Sequence, residues 1–459
     1  MSDHATTDTR EIIVEILLSL EKGQDFSHKL MKAVLDKYDY LDPREKAFIK
    51  RVTEGTIERQ LELDYYLDRF SSVPVRKMKP LIRCLLRMST YQILYMDAVP
   101  DSAVCNEACK LAAKRGFRTL KGFVNAVLRN ISRSKEQMPL PDPKDTVKYL
   151  SIKYSMPEWI VNLWLPAYGR EGTETLLKGL LSIHPVSLRF STELTEAERE
   201  SLAEKIEKTG VRLQQSRELP YVYLAQNLEN VSELPGFAEG KFHVQDLSSQ
   251  LLCAFVSPQP GERLADVCAA PGGKSFTLSE YMENTGVLDA CDVYKGRVNL
   301  IKKGAERLGL SIIHAAVRDA ATGVCEKQYD RVLCDVPCSG LGVIRRKPEI
   351  RYKKQESFKE LPALQLKILE HSAQLVRPGG ILFYSTCTLR NAENGAVVTE
   401  FLKCHPEFEP YDLPETEGIS HTVNEPKFMR TMMPMDHGGD GFFAAAMRRK
   451  TETGKETKR

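Results

Sequence analysis

Two cysteines lie in loops that directly follow predicted strands. Cys338 stands in the segment DVPCSGLG at residues 335–342, and Cys387 stands in STCT at residues 385–388. A single cysteine is most often an inert buried side chain, but packing explains poorly why two of them follow strands among Pro, Gly, Ser and Thr. Because a thiol can act as a nucleophile and loops at strand ends commonly carry function, we expect both thiols to do chemistry at one ligand-binding edge of a sheet.

A loop of small residues, DVCAAPGGKS at 266–275, follows another predicted strand and leads into an apolar helix. The ending GKS suggests a phosphate loop, but that motif requires glycine at the position that Cys268 occupies, and the GxGxxG of dinucleotide enzymes is absent. A nucleoside without a pyrophosphate is the remaining natural ligand, and S-adenosylmethionine fits this description. The loop residues predicted to bind it are Cys268, Ala269, Ala270, Pro271, Gly272, Gly273 and Lys274.

Two aspartates follow this loop in order. Asp292 ends the next predicted strand about twenty residues later, where an acidic residue of doubly wound folds binds the ribose hydroxyls. Asp319 ends the following strand unit and could accept a hydrogen bond from the adenine amino group. Each aspartate alone could instead serve a turn, but their order after the loop favours a role in binding the cofactor.

The elements that must position these residues form a parallel sheet. From about residue 245, short apolar strands at 263–267, 286–290, 331–334 and 380–384 alternate with helices, a pattern typical of a sheet covered by helices on both faces. Such sheets bind ligands at the carboxyl ends of their strands. We therefore predict an α/β Rossmann-like domain at residues 241–450.

The region before this domain divides in two. Apolar residues at helical spacing, a capping box that begins at Asp42 and a stop signal at Gly116 predict an all-α domain at 1–138. Pro139, Pro141 and Pro143 predict a linker, after which a small α+β adaptor domain is expected at 147–240. The polar residues 451–459 are predicted to be a disordered tail.

Composition limits the classes of protein that remain. A chain of 459 residues exceeds a single core of about 250–300 residues, and no apolar run approaches the roughly 18 residues of a membrane span. The start lacks a signal region, and 11 scattered cysteines favour reduced thiols in the cytoplasm. We expect a cytoplasmic monomer with neither a metal site nor a membrane anchor.

Basic residues cluster in one tract, although the net charge is only +3. Residues 110–135 contain no Asp or Glu and are predicted either to bind nucleic-acid phosphates or to form a solvated helix face. The basic residues of this tract are Lys110, Lys114, Arg115, Arg118, Lys121, Arg129, Arg133 and Lys135.

Several ordered segments together resemble one family, the RNA 5-methylcytosine methyltransferases typified by the bacterial small-subunit ribosomal RNA enzyme called Sun or Fmu. The segments are FHVQDLSSQL, DVCAAPGGKS, DVPCSGLGVIRRKPEIR, YSTCTLRNAENGAVV and HGGDGFF. The helical half resembles the RNA-binding domain of the antitermination factor NusB, which favours the ribosomal subgroup. The resemblance implies methylation of C5 of a cytosine in 16S (small-subunit) ribosomal RNA, with S-adenosylmethionine as the cofactor.

The resemblance also implies roles for single residues. Cys387 matches the family's attacking cysteine, which adds to C6 of the base, and Cys338 matches the second cysteine, which helps to release the product. Asp335 is placed to bind the cytosine edge or the cofactor. Because a stacked base hides these carbons, the target cytosine should be unpaired or flipped out. The residues predicted to contact RNA are Lys114, Arg115, Arg118, Lys121, Arg345 and Arg346, and Lys274 and Lys347 add positive charge at the site.

Two alternatives stay open. Related family members act on transfer RNA with similar motifs, and a noncatalytic RNA-binding assembly factor could retain a methyltransferase fold as a scaffold. The NusB-like half disfavours the first alternative, and the intact Cys387 and glycine loop disfavour the second. DNA methylation is less favoured, since DNA enzymes place their nucleophile in a Pro-Cys motif and Thr386 precedes Cys387 here.

Overall fold

A computed structural model describes residues 8–22, 27–38, 40–182, 185–216, 219–228, 230–322, 328–415, 425–434 and 438–451. The chain divides into two compact units. The first unit comprises residues 1–181 together with 344–353, and the second comprises 182–343 together with 354–459. The predicted disordered tail lies outside the described residues from 452 onward.

The first unit is helical, as predicted. Its third helix begins at the predicted capping box, in which the Asp42 carboxylate accepts from the Glu45 amide and the Glu45 carboxylate accepts from the Asp42 amide. Gly116, at φ +88°, follows the sixth helix as the stop signal predicts. The helices are α1 (Thr9–Glu21), α2 (Ser27–Lys37), α3 (Pro43–Glu58), α4 (Gln60–Phe70), α5 (Pro80–Tyr95), α6 (Asp101–Lys114), α7 (Lys121–Ser134), α8 (Thr146–Lys153) and α9 (Glu158–Gly179).

Residues 344–353 belong to this helical unit although they follow the Cys338 loop in sequence. They contain a 3-10 turn, Pro348–Tyr352. The buried Arg351 guanidinium donates to the carbonyls of Glu58 and Ser155 at 2.7 and 3.2 Å, and the Tyr352 hydroxyl donates to the Ile57 carbonyl at 2.6 Å. The segment thus supplies side-chain donors to carbonyls of the last turn of α3, where a helix runs out of its own amide donors.

The second unit begins with a small antiparallel sheet. Its elements are β1 (Val186–Phe190), α10 (Glu196–Glu207), β2 (Arg212–Gln215), β3 (Val222–Gln226) and β4 (Phe242–Val244), in the strand order β2-β3-β1-β4. The predicted adaptor also included α8 and α9, but these two helices lie in the first unit. The Leu61 amide of α4 donates to the Ser155 hydroxyl just after α8. This contact joins residues on the two sides of the proline-rich linker, and the linker therefore does not mark a boundary between compact units.

The larger sheet of this unit has the predicted Rossmann-like architecture. Among the described residues it has eight strands, β5 (Arg263–Asp266), β6 (Val287–Asp292), β7 (Ile313–Val317), β8 (Tyr329–Asp335), β9 (Val376–Thr386), β10 (Phe408–Pro410), β11 (Met429–Met432) and β12 (Phe442–Arg449). The order is β10-β12-β9-β8-β5-β6-β7, with β11 paired to β12. Strands β5 to β9 run parallel, and β12 runs antiparallel to β9.

Five helices accompany this sheet, namely α11 (Leu247–Val256), α12 (Gly273–Tyr281), α13 (Lys295–Leu308), α14 (Leu361–Ala373) and α15 (Gly395–Cys404). The central strands β8 and β9 carry buried apolar runs because both of their faces are covered. The parallel strands bring the carboxyl ends of β5, β6, β8 and β9 to one edge. No helix of the described residues is long and apolar enough to cross a membrane.

Candidate active site

The two cysteines meet at the carboxyl edge of the sheet. Strands β8 and β9 are parallel neighbours, with Asp335 opposite Ser385 in register. Their following loops therefore leave the sheet side by side. The Sγ atoms of Cys338 and Cys387 lie 3.1 Å apart, and both side chains are half-buried. Two thiols at this distance can contact the same small substrate group.

Cys338 differs from an ordinary thiol in its acidity. Its hydrogen bond with Cys387, together with burial, raises the pKa of Cys338 well above the usual value of 9.0. The Cys338 thiol therefore keeps its proton at neutral pH and can share it with the Cys387 sulfur.

Asp335 is held by two donors next to the cysteine pair. The Lys274 ammonium lies 2.7 Å from Asp335 Oδ2, and the Ser385 hydroxyl donates to Asp335 Oδ1 at 2.7 Å. Burial acts to lower the pKa of Lys274, but the Asp335 carboxylate together with Cys253 and Asp266 outweighs burial and raises that pKa. Lys274 also lies 5.2 Å from the centre of the Phe442 ring. The lysine predicted to make the site positive is thus fixed in an ion pair with the predicted catalytic aspartate.

The glycine loop joins β5 to α12. The Ala269 amide donates to the Cys291 carbonyl of β6 at 2.8 Å, which ties the loop to the neighbouring strand. Gly272 has φ +114°, and a Cβ there would lie 2.4 Å from the Phe276 ring. At the end of β5, burial raises the pKa of Asp266 to about 7, although a hydrogen bond from Ser275 opposes this rise.

The two aspartates predicted to bind the cofactor differ in their surroundings. Asp292 ends β6 with 4% of its surface exposed, and its carboxylate accepts from the Tyr294 amide and the Arg297 guanidinium. Asp319 is exposed and accepts from the Ala321 amide and the Thr322 hydroxyl. Asp319 thus occupies both of its oxygens in its own turn, the alternative that the sequence left open, and its contact with adenine stays a prediction.

The six residues predicted to contact RNA all belong to the helical unit. Lys114 pairs with Glu11, and Arg115 pairs with Glu11 and Glu15. Arg118 and Lys121 are exposed at the start of α7. Arg345 and Arg346 fall in the segment 344–353.

Sequence reasoning missed two features of the site. Ser385 was not singled out, because its pairing with Asp335 depends on strand register. The second is Tyr294, two residues after Asp292, with 63% of its surface exposed. An aromatic residue so close to a predicted ribose ligand is the sequence signal that could have found it.

Comparison with known proteins identifies the family. Residues 7–133 match the NusB family, and residues 253–448 match the family described as 16S rRNA methyltransferase RsmB/F. A protein of Bacillus subtilis (strain 168), named probable ribosomal RNA small subunit methyltransferase B, is 37% identical over 97% of this chain and 99% of its own length. The chain belongs to the RsmB/F methyltransferase family.

Further relatives agree with membership of the RsmB/F family. The ribosomal RNA small subunit methyltransferase B of Serratia proteamaculans (strain 568) is 30% identical over 93% of this chain and 95% of its own length. The crystal structure of PH0851 has a TM-score of 0.79 and 26% identity, and covers 97% of this chain and 99% of that chain. NSun6 from Pyrococcus horikoshii, solved with SFG, shares the fold at a TM-score of 0.57 and 20% identity, over 64% of this chain and 99% of that chain.

S-adenosylmethionine is the cofactor of this RsmB/F methyltransferase, and the site fits it. The loop carries only small side chains before Lys274, and at Gly272 an added Cβ would lie 2.4 Å from the Phe276 ring, so the tight turn at this strand end requires glycine. Asp292 supplies a carboxylate of the kind that binds ribose hydroxyls, next to the exposed Val293 and Tyr294. The loop at 268–274 and Asp292 would hold the cofactor.

Proposed function

We propose that this protein transfers the methyl group of S-adenosylmethionine to C5 of a cytosine in small-subunit ribosomal RNA, with Cys387 as the nucleophile. The observation that carries the proposal is the pair of thiols 3.1 Å apart at the ends of two adjacent parallel strands, next to an aspartate held by Lys274. The names of the relatives, as small-subunit ribosomal RNA methyltransferases, support ribosomal RNA as the substrate. Such a substrate would place the reaction in the cytoplasm.

Cys387 would activate the base. Carbon 5 of cytosine is a weak nucleophile, and addition of the Cys387 thiolate to C6 turns the C5–C6 double bond into an enamine-like system, a form of covalent catalysis. The displaced electron pair increases the negative charge on N3. Bound S-adenosylmethionine supplies an electrophilic methyl group for C5.

Asp335 and Lys274 would orient and stabilise the attacked ring. A carboxylate can accept a hydrogen bond from the cytosine amino group or from a protonated N3, so the negative charge of Asp335 favours protonation at N3, a general-acid type of contribution. Ser385 and Lys274 already fix both carboxylate oxygens. A preorganised group of this kind needs little rearrangement during the reaction.

Cys338 would act when the product is released. The C5 proton must leave, after which the electron pair of that C–H bond re-forms the C5–C6 double bond and expels the Cys387 thiolate. The hydrogen bond with Cys387 is the largest cause of the raised pKa of Cys338. Bond formation between Cys387 and the base removes that cause, although burial still raises the pKa of Cys338. Cys338 would then give its proton to water and accept the proton from C5.

Helix α7 offers the surface that would bind RNA. Arg118, Lys121, Arg129 and Arg133 are exposed at its start and along its length, and within the described residues none of them pairs with an acidic side chain. Concentrated unpaired cations release counterions from an RNA backbone. By contrast Lys114 and Arg115 already pair with acids of α1, and we therefore assign RNA binding first to the α7 stripe, defined as these four exposed residues.

The decisive experiment is transfer of a labelled methyl group from S-adenosylmethionine to unmodified small-subunit ribosomal RNA. Cys387→Ala should abolish transfer, and Cys338→Ala should accumulate a covalent adduct between protein and RNA. Cys404→Ala is the matched control, because Cys404 is exposed on α15 outside the site. Normal 5-methylcytosine formation by Cys387→Ala would contradict the assignment of Cys387 as the nucleophile. Methyl transfer to transfer RNA but not to ribosomal RNA would show that transfer RNA is the substrate.

A further inference from the structure

A buried carboxylate behind the two cysteines has no part in the chemistry above. Glu393 lies in the segment NAENGAVV, six residues after Cys387, and is completely buried. Its Oε2 accepts from the Ser339 amide at 2.8 Å and from the Gln365 side-chain amide at 3.0 Å. Burial of a charge is costly unless the charge is well bonded. Glu393 therefore occupies a site built to hold it.

The partners of Glu393 bracket Cys338. Ser339 directly follows this cysteine, and Gln365 also donates to the carbonyl of Pro337, which directly precedes it, at 2.9 Å. The Glu393 carboxylate thus fixes the backbone after Cys338. It also orients the Gln365 side chain, which fixes the backbone before Cys338.

The next residue, Asn394, brackets Cys387 in the same way. Its Oδ1 accepts from the Thr386 hydroxyl at 2.6 Å, and its Nδ2 donates to the Thr388 carbonyl at 2.9 Å. The hydroxyls of Ser339 and Thr388, the residues after the two cysteines, are hydrogen-bonded to each other at 2.8 Å. All of these groups are buried.

We propose that Glu393 and Asn394 form a loop clamp that sets the separation of the two catalytic thiols. Adjacent residues hold adjacent loops, so the distance between Cys338 and Cys387 is fixed by one short piece of chain at the start of α15. Both members are positioning residues, since neither contacts the thiols. The effect of the loop clamp on methylation rests on the proposed function, but its effect on the geometry of the thiols does not.

Disulfide cross-linking measures this geometry without RNA or cofactor. Diamide, an azo oxidant, takes two electrons and two protons from a pair of thiols, which join as a disulfide while the azo group becomes a hydrazine. We expect rapid Cys338–Cys387 cross-linking in the wild type, detected by mass spectrometry of peptides. Glu393→Ala and Asn394→Ala should cross-link at least about tenfold more slowly, because each removes hydrogen bonds to a buried partner.

Two variants and one control separate positioning from loss of folding. Thr388→Val keeps the side-chain shape and removes one hydroxyl, so about a fivefold slowing is expected in a folded protein. Glu393→Gln retains one acceptor oxygen and should restore most of the rate. Glu400→Ala alters an exposed carboxylate of the following helix, α15, and should cross-link like the wild type. Protection of the buried Cys334 from alkylation reports the native fold.

The outcomes are distinct. Wild-type cross-linking rates in Glu393→Ala and Thr388→Val would overturn the clamp, as would a wild type whose two cysteines are alkylated but never join. In methyl transfer we expect Glu393→Ala to lower kcat by about 10²-fold, as a displacement near 1 Å can, with KM for S-adenosylmethionine unchanged. Slow cross-linking with an unchanged kcat would support the loop clamp and count against the proposed function.

Discussion

Gly342 offers the sharpest test of how closely the cysteine loops must approach. This glycine lies four residues after Cys338, and its amide donates to the Cys387 carbonyl at 3.0 Å. Its own carbonyl accepts from the Gly441 amide at 2.9 Å. Gly342 thus connects the loop of one cysteine to the backbone of the other and to the segment HGGDGFF.

An alanine at this position has no room. Its Cβ would lie 1.9 Å from the Gly441 carbonyl oxygen and 2.9 Å from that of Cys387, and both neighbours are backbone atoms. Side-chain Cβ contacts are not found below 3.0 Å, so residue 342 and the Gly441 carbonyl must separate by at least 1.1 Å, which displaces the loop that carries Cys338. A misplacement of about 1 Å can cost 10²-fold in rate, and overpacking costs about 1–3 kcal/mol of unfolding free energy.

We therefore expect Gly342→Ala to lower kcat for methyl transfer by about 10²-fold while binding S-adenosylmethionine normally, because the glycine loop is untouched. The assay compares single-turnover methyl transfer, cofactor affinity and thermal unfolding. Gly296→Ala is the matched control, since nothing lies within 4 Å of its added Cβ and alanine favours the helix. Wild-type turnover by a folded Gly342→Ala would refute the argument that the loop contact sets the rate.

Three further predictions concern charge. Replacing Arg118 and Lys121 by Gln should weaken RNA binding and lower the salt dependence of log K by about 0.7–0.9 per charge removed; an unchanged slope would exclude the α7 stripe. The pKa of Asp266 is about 7 in the native state and ordinarily 3.8, so between pH 3.8 and about 7 the native state keeps a proton that the unfolded state loses. The unfolding free energy therefore falls as pH rises through this range. Asp266→Asn should flatten this fall in denaturant titrations, and an equally steep fall would remove Asp266 as its source. Lys274→Met should cost about 10²-fold in kcat, since it leaves Asp335 without its ammonium partner, whereas Lys274→Arg should recover part of the loss; full activity of Lys274→Met in methyl transfer would exclude the ion pair from catalysis.

Local signals made much of the fold predictable. The capping box at Asp42 and the stop at Gly116 depend on neighbouring residues, and the structure contains both. The parallel strands were predictable because buried runs stand out between helices. The antiparallel strand β12 was not, since its pairing with β9 depends on distant sequence.

The electrostatics of the chain were less predictable, because charge partners come from far along the sequence. The ion pairs of Lys114 and Arg115 join helices about a hundred residues apart, so a tract without acids in sequence acquires them in space. Arg351, the last residue of the segment DVPCSGLGVIRRKPEIR, is completely buried. The resemblance indicated the two cysteines. The buried hydrogen bonds that hold their loops side by side join residues far apart in sequence and could not be predicted from it.

The divided helical unit has a consequence for the order of events during synthesis. Residues 1–181 leave the ribosome first, yet Arg351 and Tyr352, which satisfy the carbonyls at the end of α3, follow only after residues 182–343. At elongation rates of about 5–20 residues per second, this delay is roughly 10–30 s. Until then these carbonyls of the nascent helical unit are hydrogen-bonded to water. The segment 344–353, which completes the unit, is synthesised directly after the Cys338 loop.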